Sequence, residues 1–486
     1  MSTEIQQLEP KTIWQNFAKL TEIPRPSKKE AKIIAFMQTW AKEKGIETTT
    51  DEVGNVIMRK PASPGMEDRK TVVLQAHLDM VPQKNNDTQH DFEKDPISAY
   101  VDGDWVTAKG TTLGADNGMG VAAAMSVLEA DDIEHGPIEA LFTIDEETGM
   151  TGAFHLKPDV LKADILLNMD SEDEGELYIG CAGGVDTTLY LKNKQKNTPK
   201  RSSAYKLTVT GLKGGHSGMD IPLQRGNANK VLFRILQNAV DKFKIRLADV
   251  EGGNMRNAIP REAEAIITVP EKYEADFKTF LKEIEETIQA ELKESDPGLA
   301  VKLETAKKPK TVMKKGTMKK LLRTVRAMPH GPVRFMDSMP QVPETSVNLA
   351  IVKSENERIT IASLLRSSVD SAKLDLQQSI ESIAKLAGAR CEHTGEYPGW
   401  KPQLDSPILQ SMKNVYENKF GKTPAVKIIH AGLECGILGA TYTNWDMISF
   451  GPTIRFPHSP DEKVHIGSVQ KFWDFLLETL KHVPKK

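Results

Sequence analysis

Four apolar segments of the chain each stop abruptly at histidine or carboxylate side chains. The first, Thr71–Met80 (TVVLQAHLDM), runs into His77 and Asp79, and an apolar, β-branched run of this kind predicts a buried parallel strand. The other three are Ile138–Ile144 before Asp145, Glu146 and Glu147, Asp164–Met169 before Asp170, and Trp445–Phe450 before the segment that holds His458. Because the carboxyl ends of parallel strands meet at one edge of a sheet, where ligands bind, we expect these side chains to lie together.

Composition and charge exclude several classes of protein. The chain has 486 residues, 39% hydrophobic and 27% charged, with a net charge of -3, so no overall field favours nucleic acid or an anionic membrane. Cys181, Cys391 and Cys435 are too far apart for a disulfide framework or a CxxC zinc site. The polar N-terminus lacks the apolar core of a signal peptide, and no run reaches the ~20 apolar residues of a membrane span. We therefore expect a cytoplasmic protein without nucleic-acid or membrane partners.

The length predicts more than one domain. Between residues 188 and 399 strands and helices follow a β-α-β-β-α order, which recurs in part after a lysine-rich link at 307–320. We therefore predict an α/β fold with a catalytic domain, built on a mostly parallel central sheet, from residues 1–187 and 400–486. Residues 188–399 are predicted to form an inserted α/β lid domain of two similar β-α-β halves.

The N-terminal segment predicts two helices. The first is expected from Pro10 to about Leu20, and the PRP sequence at 24–26 ends it. Ser27 and Glu30 match the S-x-x-E pattern of a capping box, which predicts that their side chains close the start of the second helix. Gly45 is a typical C-terminal stop for that helix.

The polar residues at the predicted sheet edge suit a metal centre. Two imidazoles and three carboxylates are available, from His77, Asp116, Glu147, Asp170 and His458. Such a donor set without thiolate suits zinc, with manganese or cobalt as alternatives, and an aspartate shared by two ions would hold them about 3.5–4 Å apart. Glu146, left over beside the site, could take a proton from a water molecule and pass it to a leaving amine.

Several motifs together resemble the aminoacylase/carnosinase family of di-zinc metallopeptidases. They are LQAHLDM, TTLGADNG, FTIDEETGMTGA, NMDSE, GGHSG, NAIPREA and FPHSPDE. Within that family, the motifs HLDMVPQKN, GCAGG and HAGLECGIL are most similar to those of the bacterial aminoacyl-histidine dipeptidases. The match runs from about Trp14 to Phe475. The resemblance implies hydrolysis of unmodified dipeptides, including the Xaa-His type, by a water bridging two zinc ions, and a homodimer.

The same resemblance implies a role for each site residue. Asp116 would bridge the metals, with His77 and Asp170 completing one site and Glu147 and His458 the other. Asp79 would orient His77, and Glu146 would be the general acid/base. In the inserted domain His216 would stabilise the oxyanion, while the positions that match substrate contacts in relatives are Asn257, Arg366 and Glu434.

Several of these residues, and the function itself, have alternative interpretations. Asp116 could be an ordinary helix N-cap, His216 a turn histidine, and Arg366 one member of a surface ion pair. At the level of function, the same di-zinc site could serve a deacylase of N-acyl amino acids or a broader aminopeptidase. A non-catalytic peptide binder is disfavoured, because every ligand and the base are present.

Overall fold

The structure, a computed structural model, describes residues 4–486. It divides into two compact units. The first consists of the chain up to Gly180, Trp400–Ile428 and Leu433–Lys486, and the second of Cys181–Gly399 and Ile429–Gly432. The strand Gly183–Lys192, which crosses the predicted boundary between residues 187 and 188, pairs within the sheet of the second unit.

The helices and strands of the described residues have the following bounds. The α-helices are α1 Lys11–Thr21, α2 Ala31–Lys44, α3 Ala115–Glu129, α4 Glu146–Gly149, α5 Thr151–His155, α6 Ala228–Phe243, α7 Glu274–Glu291, α8 Lys315–Ala327, α9 Asp370–Ala387, α10 Pro407–Phe420, α11 Glu434–Thr441 and α12 Ile466–Lys481. The strands up to Cys181 are β1 Glu47–Thr50, β2 Val56–Lys60, β3 Val72–His77, β4 Ala99–Asp102, β5 Trp105–Ala108, β6 Ile138–Thr143, β7 Ile165–Asn168 and β8 Glu176–Cys181. Those that follow are β9 Gly183–Lys192, β10 Gln195–Asn197, β11 Ser202–Thr210, β12 Gly215–His216, β13 Arg246–Gly252, β14 Ala258–Ile259, β15 Ala263–Pro270, β16 Ala300–Thr305, β17 Thr311–Met313, β18 Gly331–Phe335, β19 Pro343–Ser354, β20 Arg358–Ser367, β21 Arg390–Tyr397, β22 Ala425–Ile429, β23 Asp446–Ser449, β24 Ile454–Arg455 and β25 Lys463–His465.

The eight-stranded sheet, in the order β1-β2-β6-β3-β7-β23-β8-β22, carries the first unit. Its four central strands, β6, β3, β7 and β23, are neighbours and run parallel. Every residue of β3, β6 and β7 is buried, as expected of parallel strands covered on both faces. The four predicted strand segments are thus confirmed, and their carboxyl ends share one edge.

Helix α3 covers this sheet closely because small residues, Gly120 and Ala122–Ala124, occupy its middle. It packs against β3 and α1, and Ala122, Ala123 and Ala124 are fully buried. Its N-terminus lies at the sheet edge that holds the strand ends. Gly114, just before α3, has φ 73°, and a Cβ there would lie 2.6 Å from Nη2 of Arg25, so this close approach requires glycine.

Besides the two-stranded sheets β10-β17 and β12-β14, the second unit contains a nine-stranded sheet. Its order is β16-β11-β15-β13-β19-β20-β9-β21, with β18 added on β19, and its pairs are antiparallel. Along β11 buried and less buried residues largely alternate, which indicates one face packed against helices and one polar face. Helices α6, α7, α8 and α9 contact this sheet. The α/β class predicted from the sequence is confirmed.

The predicted capping box at the second helix is wrong. Helix α2 begins at Ala31, and its N-cap residue, Glu30, makes no side-chain cap hydrogen bond. The Ser27 hydroxyl instead donates to Oδ2 of Asp79 at 2.8 Å, and Oε1 of Glu30 accepts from the backbone N–H of Asp145 at 3.1 Å. Both side chains are drawn to tertiary partners because a buried carboxylate without donors is costlier than an uncapped helix end.

Candidate metal centre

The parallel strand ends bring the predicted ligands of the first unit together. His77 is the last residue of β3, and Asp170 follows β7 by two residues. Glu147 lies in the one-turn helix α4 after β6, Asp116 in the first turn of α3, and His458 between β24 and β25. His458 has φ 59°, a left-handed conformation that is uncommon for a residue with a side chain and is frequent at functional sites.

Asp116 lies at the centre of the group, with one carboxylate oxygen directed to each side. Its Oδ1 is 3.2 Å from Nε2 of His77, which is also 3.3 Å from Oδ1 of Asp170. Its Oδ2 is 3.2 Å from Nε2 of His458, which is also 2.9 Å from Oε2 of Glu147. The five residues therefore form two three-ligand groups that share Asp116, and within each group the ligand atoms lie within 4.8 Å of one another.

The chemistry of these donors fits two bound cations. Oε1 of Glu147 is buried and has no hydrogen-bond partner among residues 4–486, and such an orphaned oxygen suits a metal ion. Hydrogen bonds to Asp116 and Glu147 raise the pKa of His458 to about 11. Burial lowers the pKa of His77, yet Asp170 and Asp116 raise it well above its ordinary value. The carboxylates thus favour positive charge where each imidazole faces them.

Asp79 connects His77 to the segment that follows β6. Its Oδ1 lies 3.4 Å from Nδ1 of His77, and its two oxygens accept from the backbone N–H groups of Glu146, at 3.0 Å, and Glu147, at 3.3 Å. Hydrogen bonds from the other side of a metal-binding imidazole fix its ring and tautomer. Asp79 is therefore placed to orient His77 and α4 together.

We expect Asp79→Asn to weaken metal binding about 10- to 100-fold, the usual effect of losing a partner of a ligand. The amide keeps one acceptor oxygen but directs an N–H donor at groups that also donate. Zinc affinity measured by competition with a chelator checks this expectation. Ser27→Ala removes a single hydrogen bond to the same carboxylate and serves as the milder control, so an equal loss in both variants would contradict the orienting role.

Glu146 lies beside the ligands and opens helix α4. One of its carboxylate oxygens belongs to a third group, with His77 and Glu147, in which the ligand atoms are within 4.8 Å of one another. Burial raises the pKa of Glu146 well above its ordinary value, and the nearby acids Asp170 and Glu147 raise it further, against the opposing effect of His77. A carboxyl group with a raised pKa is suited to accept a proton and return it.

Glu434 is the first residue of α11, and its side chain lies against β3 and β6. It is fully buried, and its Oε2 accepts from Nε2 of Gln75 at 2.6 Å and from the hydroxyl of Thr143 at 2.7 Å. Its Oε1 has no hydrogen-bond partner in the described chain. Burial raises the pKa of Glu434 to about 7, so a cationic group beside Oε1 would stabilise its charged form.

The other three predicted substrate residues belong to the second unit, where they are close in structure. The backbone N–H of Ser217, next to His216, donates to the carbonyl of Asn257 at 2.8 Å. Arg366, on β20, donates from Nε to the Ser217 hydroxyl at 3.5 Å and from Nη1 to the Tyr397 hydroxyl at 3.0 Å. These bonds hold the planar guanidinium in one orientation.

The tautomer of His216 follows from its hydrogen bonds. Its Nδ1 accepts from the backbone N–H groups of Gly218, at 3.2 Å, and Met219, at 3.1 Å. Burial lowers the pKa of His216, and the charge of Arg366 lowers it further. The neutral ring therefore carries its hydrogen on Nε2, which is a donor suited to an oxyanion.

The sequence did not reveal three residues that hold the predicted ligands in place. Nδ2 of Asn117 donates to the Met169 carbonyl at 2.8 Å and also to Oδ1 of Asp170. The buried Arg25 donates to the carbonyls of Leu78 and Asp79 at 3.0 Å and of Gly114 at 2.5 Å, and Glu462 accepts from backbone groups before α3. Asn117 and Glu462 stand within TTLGADNG and FPHSPDE, so those motifs contained the only signal.

Known proteins share both the sequence and the fold. Residues 73–482 match Peptidase family M20/M25/M40. The cytosol non-specific dipeptidase of Escherichia coli (strain K12) is 48% identical over 484 residues, covering 100% of both chains. The crystal structure of an aminoacylhistidine dipeptidase from Vibrio alginolyticus is 46% identical with a TM-score of 0.94, covering 100% of this chain and 99% of the other. A tripeptidase from Staphylococcus aureus, 15% identical with a TM-score of 0.56 and covering 98% of this chain and 99% of its own, shows the fold alone. The family resemblance of the motifs is thereby confirmed, and the chain belongs to peptidase family M20/M25/M40.

Proposed function

We propose that the protein is a metal-dependent dipeptidase that hydrolyses unmodified dipeptides, including those of the Xaa-His type. The main support is the placement of Asp116, whose two oxygens each lie 3.2 Å from an imidazole nitrogen. Each of those nitrogens also lies close to a second carboxylate, that of Asp170 or of Glu147. The names of the two full-length relatives, both dipeptidases, support the substrate class. Membership of the family supports hydrolysis of a peptide bond.

The proposed cofactor is a pair of zinc ions, with manganese or cobalt as possible substitutes. His77, Asp116 and Asp170 would hold one ion, and Asp116, Glu147 and His458 the other. When bound, two such ions activate a water molecule and polarise the carbonyl group to be attacked. The donor set supports zinc because it combines imidazole with carboxylate.

Glu146 is proposed to move the proton during hydrolysis. Its carboxylate takes a proton from the attacking water and gives it to the nitrogen of the leaving amine, which breaks the peptide bond to yield two amino acids. Burial, together with the nearby acids, raises the pKa of Glu146 and stabilises its protonated form between these two steps. Asp79 holds the backbone N–H of Glu146 and so fixes the position of this base.

The remaining predicted residues are proposed to recognise the ends of the substrate. Arg366 is suited to the free carboxylate, because a fixed guanidinium binds two carboxylate oxygens at once. Glu434 is suited to the free amine, and the Nε2–H of His216 to the carbonyl oxygen that becomes negative during attack. The predicted contact of the exposed Asn257 stays a prediction, as do the lid role of residues 188–399 and the homodimer.

A cytoplasmic location is part of the proposal. It is supported by the name of the relative in Escherichia coli, a cytosol non-specific dipeptidase. Within residues 4–486 the structure contains no helix that is both long and apolar enough to cross a membrane.

The substrate class can be tested with one dipeptide in three forms. We expect the free acid to be cleaved, and its C-terminal amide and a tripeptide extended at the C-terminus to be cleaved poorly, because each lacks a carboxylate where Arg366 is proposed to bind it. Comparing kcat/KM for the three forms checks this. Equal values would redefine the protein as a broader aminopeptidase, and preferential cleavage of acetylated amino acids would redefine it as a deacylase.

We expect Arg366→Lys to lower kcat/KM for the free dipeptide about 10- to 100-fold, since lysine keeps the charge but loses the planar fork, and a charged hydrogen bond contributes ~1.5–3 kcal/mol. Arg358→Lys is the matched control. It lies on the same strand, is exposed and pairs with Glu355. If both variants cleave the free acid as well as the unaltered protein does, Arg366 does not bind the carboxylate.

A further inference from the structure

Glu462 is a buried carboxylate that lies four residues after His458. It is 2% exposed. Its Oε2 accepts from the backbone N–H groups of Leu113, at 2.7 Å, and Gly114, at 2.9 Å, and its Oε1 accepts from that of Asp116, at 3.1 Å. Three backbone donors from one short loop thus converge on this side chain, which satisfies a group that would otherwise be costly to bury.

The loop that Glu462 holds is the one that presents Asp116. Asp116 has φ -80° and ψ 108°, which departs from helical geometry although it lies in the first turn of α3. Like the other N–H groups of a first helical turn, that of Asp116 has no acceptor within the helix, and Glu462 supplies one. Arg25 in turn donates to the carbonyl of Gly114 at 2.5 Å. Side chains thus fix both the N–H groups and a carbonyl of the segment before Asp116.

Glu462 is itself fixed to the segment of the second histidine. Its N–H donates to the carbonyl of Ser459, next to His458, at 2.9 Å. Its carbonyl accepts from the hydroxyl of Thr107 at 2.7 Å. One residue therefore joins the His458 segment to the Asp116 loop, which lies 346 positions earlier in the chain.

We propose that Glu462 is a positioning residue that sets the distance between Asp116 and His458, and thereby the affinity of the centre for the metal ion that these two residues share. The inference rests on the proposed two-metal centre. Glu462 does not enter either ligand group, so it acts through the Asp116 loop and the His458 segment that it joins. Partners of this kind commonly change metal affinity by about 10- to 100-fold when they are replaced.

The test compares Glu462→Gln with a matched control, Glu139→Gln. Glutamine keeps the shape of Glu462 but directs an N–H donor at the donors of the loop. Glu139, on β6, is a buried carboxylate that also accepts from two backbone N–H groups, those of Lys162 and Ala163. It additionally pairs with Arg59, and it belongs to no ligand group of the described residues. Full-length metal-free proteins are titrated with zinc against a chelator, and the visible absorption spectrum is recorded with cobalt.

We expect Glu462→Gln to bind one of two zinc ions about 10- to 100-fold more weakly, to change the cobalt spectrum, and to lower kcat more than it changes KM. Glu139→Gln should match the unaltered protein in all three. Normal affinity and spectrum in Glu462→Gln, or equal losses in both variants, would overturn the inference. An unaltered protein that binds fewer than two ions would instead contradict the proposed function.

If Glu462→Gln does not fold, the milder variant Thr107→Val tests the same proposal. Thr107→Val removes the hydroxyl that holds the Glu462 carbonyl and leaves the carboxylate in place. Weaker binding of the same single ion, with an unfolding temperature close to that of the unaltered protein, supports the positioning role. Zinc affinity and a cobalt spectrum identical to those of the unaltered protein would overturn it.

Discussion

Glu146→Gln should lower turnover by roughly 10²- to 10⁴-fold while the protein still binds two metal ions per chain. The amide has the shape of the carboxylate but cannot accept a proton from water at neutral pH. The backbone N–H of Glu146 would still donate to Asp79, so α4 should keep its position. The measurement is kcat for a free dipeptide, together with metal content from elemental analysis of the same sample.

Glu147→Gln is the control for that result, because the two residues are adjacent but have different proposed roles. Oε2 of Glu147 lies 2.9 Å from Nε2 of His458, so the variant should lose one metal ion. If Glu146→Gln loses metal while Glu147→Gln keeps both ions, the roles of base and ligand are exchanged. Full activity in Glu146→Gln would show that Glu146 is not the general base.

Removal of metal should abolish activity, and addition of zinc, manganese or cobalt should restore it. The affinity for metal should also fall as the pH falls. In the metal-free protein the pKa of His458 is raised to about 11 and that of His77 is raised well above its ordinary value. Below those pKa values each imidazole carries a proton that must leave before the nitrogen can bind metal, so metal binding releases protons.

The sign and size of this pH dependence can be measured directly. For each proton displaced, the apparent affinity for zinc should fall about tenfold per pH unit as the solution becomes more acidic. Titration of metal-free protein with zinc in a weakly buffered solution should acidify it. A zinc affinity that is the same at pH 6 and pH 8 would exclude imidazole ligands, and full turnover in metal-free protein would exclude the metal centre.

The fold and the predicted ligand set could be inferred because they depend on local patterns. Apolar segments that lead to His77, Glu147 and Asp170 identified three of the central strands, and their continuous apolar character predicted the parallel arrangement. The family motifs supplied the same residues in the same order. The structure then brought all five proposed ligands into two groups that share Asp116.

The residues around the ligands could not be predicted because their partners are distant in sequence. The Ser27 pattern indicated a helix cap, but its hydroxyl donates to Asp79, 52 positions away. Glu462 stood in a recognised motif, yet nothing nearby indicated that its acceptors face the loop before α3. Such roles depend on which donors the folded chain leaves without partners, and this is decided by tertiary packing.

Asp116 is proposed to be shared by two metal ions. Crystals of the full-length protein grown with zinc and measured at the zinc absorption edge should show two anomalous peaks about 3.5–4 Å apart. One peak should adjoin His77 and Asp170, the other Glu147 and His458, with Asp116 contacting both. A single peak, or two peaks of which only one contacts Asp116, would contradict the sharing of Asp116 by two metal ions.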